Sequence, residues 1–288
     1  MYLTFLGRGL LAAVLLAASV QSSAQEREAL RVCADPNNMP FSNAEREGFE
    51  NRIAALLGEA LELPVEYTWF PQRRGFTRNT LRAIDPQTNR HKCDLIMGVP
   101  REFELGLTTR PYYRSTYAMV YKLSGPVGGI EAPIDLLELP AETRNRLRFG
   151  VHDQTPGAVW LSSYGFQRQL VGYPTLDANP NEYPGRLIER DLEQGELDAA
   201  IIWGPIAGYF VMRDQDQDLA MVTFEPQPGI RFDFAISMAV RYGEGDWRDR
   251  LETLIGEHED EIRQILQDYN VPLLPLRESD LAEPPDDD

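Results

Sequence analysis

Short buried-strand patterns alternate with helical ones from residue 30 onward, and this restricts the chain to an α/β architecture. Leu30-Arg31-Val32-Cys33-Ala34 reads as a buried strand, followed by the loop Asp35-Pro36-Asn37-Asn38-Met39-Pro40-Phe41. Phe49, Ile53, Leu56, Leu57 and Ala60 then recur at helical spacing. The runs 64–70 and 93–98 are the next strands, with a helix expected over 76–83 between them. Strands separated by helices in this way require crossovers, which place parallel strands in one sheet.

A Gly/Pro-rich break, Ser124-Gly125-Pro126-Val127-Gly128-Gly129, precedes a second region of the same kind. Its strands are read at 148–152 and 197–203. Helices are expected to begin near Ala158, around Leu187, and at Gly204-Pro205. A further strand at 232–240 leads to one long helix carrying Trp247, Leu251, Leu254, Ile255, Ile262, Ile265 and Leu266 on its apolar face. The pattern predicts two lobes, with residues 25–122 and 229–276 forming the first and 123–228 the second. The acidic residues 277–288 are expected to be a disordered tail.

Residues 1–24 read as an export signal. Arg8 precedes the apolar run from Leu10 to Ala18, and Ser22 and Ala24 stand at the small-residue positions before Gln25. The run is short for a bilayer span, so the expectation is an exported protein without a membrane span after cleavage. The 288-residue chain carries 28 basic and 45 acidic residues. Such a charge balance repels nucleic-acid backbones and argues against a nucleic-acid partner. Two cysteines, Cys33 and Cys93, point to a disulfide in an exported protein, with two separate buried thiols as the alternative. Both flank strands expected to be neighbours, so the bond is expected. The three histidines are scattered and no metal cluster is read. Asp214, Asp216 and Asp218 imitate a calcium loop but place Leu219 where its turn wants glycine, so a solvated turn is expected.

The strand ending in Asp35-Pro36, the Gly48-Phe49-Glu50 helix start, and Cys93-Asp94-Leu95-Ile96-Met97-Gly98 together resemble periplasmic solute-binding proteins of the amino-acid-receptor type (type II). That resemblance implies a two-lobed fold with a hinge of two crossovers, near 121–124 and 226–232. A more specific similarity is to the MxaJ/XoxJ family. It is carried by Leu30-Arg31-Val32-Cys33-Ala34-Asp35-Pro36-Asn37-Asn38 and Trp69-Phe70-Pro71-Gln72-Arg73-Arg74-Gly75-Phe76. Leu107-Thr108-Thr109-Arg110-Pro111-Tyr112-Tyr113 and Ala200-Ile201-Ile202-Trp203-Gly204-Pro205-Ile206-Ala207-Gly208-Tyr209-Phe210 complete it. These are periplasmic accessories of quinoprotein (PQQ) alcohol dehydrogenases, methanol dehydrogenases included. The resemblance implies a periplasmic monomer that works by binding the dehydrogenase, and its c-type cytochrome as a further candidate, with no resident cofactor of its own.

The fold places ligands where strand-end loops of the two lobes face each other. Candidates there are Asp35, Asn38, Phe41, Trp69, Arg73, Arg74, Met97 and Tyr112 from the first lobe, and Thr155, Trp203 and Tyr209 from the second. For each aromatic alone, core packing is the competing explanation. One of Arg73 and Arg74 is expected to pair with Glu102 or Glu104. Amino-acid receptors carry an arginine after the third strand that grips the ligand carboxylate bidentately. Here that position falls on or near Glu102, with Arg101 adjacent, so the grip is expected to be missing. No nucleophile elbow or phosphate loop is present. Two further functions stay open: a receptor delivering a small molecule to an ABC transporter, and a small-acid dehydratase using Asp35 or Glu102 as general acid.

Overall fold

The structure, a computed structural model, describes residues 27–175, 183 and 185–282. The export-signal reading over residues 1–24 lies outside them, as do the acidic residues 283–288.

The first lobe opens with β1 (Leu30–Ala34), the short pair β2 (Asn37–Asn38) and β3 (Ser42–Asn43), and helix α1 (Phe49–Ala60). It continues through β4 (Val65–Trp69), α2 (Phe76–Asn79), β5 (Leu95–Pro100), β6 (Leu107–Thr108) and β7 (Tyr113–Lys122). A 3-10 turn at Pro133–Leu137 and α3 (Ala141–Arg144) lead into β8 (Phe149–His152), α4 (Pro156–Ser163) and β9 (Leu170–Tyr173). Next come α5 (Arg186–Glu193), β10 (Ala199–Trp203), α6 (Gly204–Arg213) and β11 (Leu219–Thr223). The chain returns through β12 (Asp233–Val240), α7 (Gly245–Glu257), α8 (Glu259–Asp268), β13 (Leu273–Leu274) and α9 (Glu278–Leu281).

Strand order is β4-β1-β5-β12-β7-β10-β8-β9, with β11 and β13 on β7 and β6 on β12. Within each lobe the βαβ units are parallel, β1 beside β4 and β5, β8 beside β9 and β10. Apart from the short β2–β3 hairpin, the antiparallel pairs centre on β7 and β12: β7 pairs β10, β11, β12 and β13, and β12 pairs β5 and β6. Ten-residue β7 pairs β12 up to Thr116 and pairs β10 from Tyr117 onward. One continuous strand thus passes between the lobes, ahead of the Gly/Pro-rich break. Phe224 and Phe232, at either end of the second passage, are bound side by side to it: Thr116 Oγ1 lies 2.8 Å from the Phe224 carbonyl, and Tyr117 N–H donates to that of Phe232 at 3.0 Å.

Cys33 and Cys93 form the disulfide, with Cα atoms 5.4 Å apart. Cys93 lies just before β5 and joins Leu81, Ile96, Val99 and Ala239 in a small core of its own. Leu81 also explains why α2 stops at Asn79 rather than reaching 83. Thr80 leaves helical geometry (φ −121°, ψ −90°), its hydroxyl donating to the Phe76 carbonyl, and Leu81 is delivered fully buried to the disulfide. The long helix expected after Trp247 is two helices meeting at His258 (φ −115°, ψ 26°). Glu259, Asp260 and Glu261 supply the first turn of α8, where the helix dipole favours negative charge. Of the expected disordered tail, residues 277–282 carry α9 and are bound: Arg277 donates to Asp233 at 2.7 Å, and Arg101 to the Ser279 carbonyl at 2.6 Å. At the mock calcium loop, one Asp214 oxygen accepts the N–H groups of Asp218 and Leu219 and holds a turn. Among the described residues no helix is long and apolar enough to cross a membrane.

Candidate functional site

The carboxyl ends of parallel strands leave a crevice where open α/β sheets place their ligands. In the first lobe this edge is built by the loops after β1, β4 and β5. Asp35, 8% exposed, spends both carboxylate oxygens on backbone: Oδ1 accepts from Asn37 N–H at 2.8 Å and Oδ2 from Gln72 N–H at 2.5 Å. Asn38 Nδ2 donates to Gln72 Oε1 at 2.8 Å. Asp35 and Asn38 therefore bind the β1 loop to the β4 loop through Gln72, a partner the sequence reading did not single out. Both Asp35 oxygens thus serve to hold the two loops together.

Behind this tie sits a group the sequence reading passed over. Glu50, in the first turn of α1, is half-buried, and no hydrogen bond or ion pair reaches its carboxyl among the described residues. It packs over Gly98, whose φ of +70° suits glycine; a β-carbon there would lie 2.2 Å from Glu50 Oε1. Gly98 N–H donates to the Tyr112 hydroxyl at 3.1 Å. Burial pushes the Glu50 carboxyl up to about 8, and the nearby Asp35 charge adds to the shift. The enclosure favours the protonated acid over the carboxylate. The sequence shows only a Gly-Phe-Glu helix start, where an acid is ordinary; its enclosure depends on β5 and β7 packing around it.

Met97 (3% exposed) and Tyr112 (7%) are buried beneath the same edge. Phe41 meets Phe49 edge-on at 5.2 Å, and Phe49 meets Tyr269 at 5.8 Å. Trp69 stacks on Tyr67 at 4.5 Å. The second-lobe candidates lie elsewhere. Trp203 packs edge-on against Tyr117 (5.5 Å) and Phe234 (5.8 Å), both on the hinge strands. Tyr209, on α6, is buried under the Arg213 guanidinium, 5.1 Å from its ring centre. Thr155 donates its hydroxyl to the His152 carbonyl and leaves the α4 N-terminus without a side-chain cap. No hydrogen bond or ring contact joins Thr155, Trp203 or Tyr209 directly to the first-lobe set among the described residues.

The arginines depart from expectation. Arg73 and Arg74 are both exposed and neither pairs with Glu102 or Glu104. Glu102 is taken by Arg231 at 2.9 Å, and the Glu104 carbonyl accepts from Tyr242. Arg73 and Arg74 both lie on the loop after β4 that also carries Gln72. Glu102 lies in the turn after β5, and Arg101 reaches away to Ser279. A cavity of about 530 Å³ lies at the opposite ends of the strands, around Arg27, Arg31, Asp94 and Arg241. Those three guanidiniums are already engaged by Asp94, which is 1% exposed.

No family model matches the chain. It is 25% identical over 259 residues to Protein MoxJ of Paracoccus denitrificans, covering 85% of this chain and 89% of that protein. The crystal structure of periplasmic binding protein XoxJ from Methylobacterium extorquens AM1 superposes with a TM-score of 0.66 at 28% identity, over 86% of this chain and all of that one. MxaJ from Methlophaga aminisulfidivorans MPT gives 0.67 at 25% identity, over 85% and 100%. The chain is similar to the MxaJ/XoxJ-type proteins and shares their type II periplasmic-binding-protein fold.

Proposed function

We propose that this protein is a periplasmic, non-catalytic accessory to a PQQ-dependent alcohol dehydrogenase of the methanol-oxidising kind, acting by binding during activation or assembly. The observation that carries the reading is the Glu102–Arg231 ion pair at the turn where an amino-acid receptor would present an arginine. A ligand carboxylate approaching that turn meets a carboxylate, and the neighbouring guanidinium is engaged with the C-terminal segment. The family likeness supplies the partner: the dehydrogenase, and its c-type cytochrome as a further candidate. Phe41 and Trp69, with Asp35 and Asn38 holding the loops between them and Tyr112 packed beneath, form the first-lobe wall offered to that partner. Trp203 and Tyr209 act from the hinge side by setting how the second lobe meets it.

Deletion of the protein tests this. The dehydrogenase polypeptide should persist in the deletion strain at normal amount with most of its activity lost. Full activity there removes the proposal. The transporter-receptor reading is separated by thermal-shift screening of amino acids and other small solutes. A ligand at a hundred times its Kd would stabilise by about 2.7 kcal/mol, and a micromolar ligand of this kind would favour the receptor.

A further inference from the structure

The segment following α8 crosses the hinge and touches both lobes. At its start, Asn270 Nδ2 donates to the Gly208 carbonyl at 3.2 Å, and Pro272 lies against Gly204. Both glycines are on α6, in the second lobe. The fit is close: a β-carbon at Gly208 would lie 2.0 Å from the Asn270 carbonyl oxygen, and one at Gly204 2.5 Å from Pro272 Cγ. The next residues grip the first lobe. β13 pairs β7 at Ser115 and Arg114, the Ser115 hydroxyl donates to the Pro272 carbonyl (2.7 Å), and Arg114 Nη1 to that of Pro275 (2.8 Å).

Further on, Arg277 Nη2 donates to Asp233 Oδ2 at 2.7 Å, an oxygen that also accepts from Arg114 Nε (3.0 Å) and Nη2 (2.6 Å). Arg101 holds the Ser279 carbonyl. Arg114 lies on β7 and Asp233 opens β12, the two strands of the hinge, and each is 6% exposed. A buried pair of this kind resists separation, because parting it strands a charge away from water.

We propose that residues 270–282 are a hinge clip. They seat on the glycine face of α6, lock to β7 and β12, and fix the angle between the lobes; release of the Arg277–Ser279 end is what permits that angle to change. Bending at Thr116–Tyr117 and at Phe224–Phe232 would drag α6 past Asn270 and Pro272 while Arg277 still held Asp233. This role is independent of the partner's identity.

Amide hydrogen exchange by mass spectrometry tests it on the full chain, a chain ending at Leu276, and Arg277→Ala and Arg277→Lys variants. In the shortened chain, exchange at residues 113–117 and 232–236 should rise at least tenfold, while α1 and α4 keep their rates. Arg277→Ala should give a several-fold rise at the same segments, and Arg277→Lys a smaller one. Gly208→Ala should increase the radius of gyration measured by X-ray scattering by pushing α6 from the clip. Hinge exchange within twofold of the full chain in both the shortened and Arg277→Ala proteins overturns the proposal. A rise spread evenly over the first lobe also overturns it, because that marks a general packing role.

Discussion

Replacing Glu50 by Gln should remove a pH dependence of stability that the native protein carries. Below pH 4.5 the carboxyl is protonated in the folded and unfolded chain alike. Between 4.5 and about 8 the unfolded chain releases its proton while the folded chain keeps it, so the folded state binds more protons and stability falls as pH rises. At about 1.4 kcal/mol per unit, that interval corresponds to roughly 5 kcal/mol. Water reaching the half-buried carboxyl cuts this to a few. Gln keeps the shape of the protonated acid and has nothing to ionise. Urea unfolding at pH 5, 6, 7 and 8 reads the difference. With a slope of about 3 kcal/mol/M, a loss of 3 kcal/mol lowers the midpoint by ~1 M. The native midpoint should fall relative to that of Glu50→Gln across this range, and the gap between the two should be smallest at pH 5. Parallel curves, or a variant weaker at every pH, would refute the enclosure of Glu50 as the cause. The protein's overall negative charge also weakens it at high pH, but equally in both chains to first order, so the comparison isolates one carboxyl.

Other consequences are checkable on the same samples. Gly98→Ala should cost about 1–2 kcal/mol from its positive φ and its contact with Glu50, part of which Glu50→Ala should restore in a double-mutant cycle. Removing the disulfide by Cys33→Ser and Cys93→Ser, which lie 60 positions apart in sequence, should cost up to about 4 kcal/mol in unfolding. Two thiols titrating in the unfolded native protein would contradict the bond. Trp203→Ala removes a half-buried ring from Tyr117 and Phe234, and should cost about 2 kcal/mol while leaving a folded protein whose support of the dehydrogenase is weakened. Unchanged support would take Trp203 out of the functional account.

The sequence carried the features that local pattern determines. The apolar runs of β1 and β5 and the helical spacing of Phe49, Ile53 and Leu57 all reappear with those residues buried. Pairing of Cys33 with Cys93 followed from the expected adjacency of their strands, even though Cys93 lies ahead of β5 rather than within it. What was hidden depends on partners distant in sequence. Residues 277–282 look like solvated acid, but Arg277 finds Asp233 forty-four residues back and Ser279 finds Arg101. The break at His258 leaves the apolar spacing intact across it, so periodicity alone does not register it. At the candidate site, Asp35 and Asn38 could be placed at a strand end from the loop after β1, whereas their shared partner Gln72 comes from a loop 34 residues beyond Asn38. Glu50 was invisible for the same reason: nothing local says that Gly98 will lie beneath it.

The central claim is that this protein supports the dehydrogenase by binding it. The most direct measurement takes the dehydrogenase purified from a strain lacking the protein and adds the purified protein back, recording activity per mole of dehydrogenase with and without its quinone and metal supplied. The account predicts that activity rises severalfold only when the protein is present, in proportion to its amount up to a fixed stoichiometric ratio. A dehydrogenase from the deletion strain that is already fully active, or that gains the same activity from quinone and metal alone, would contradict it.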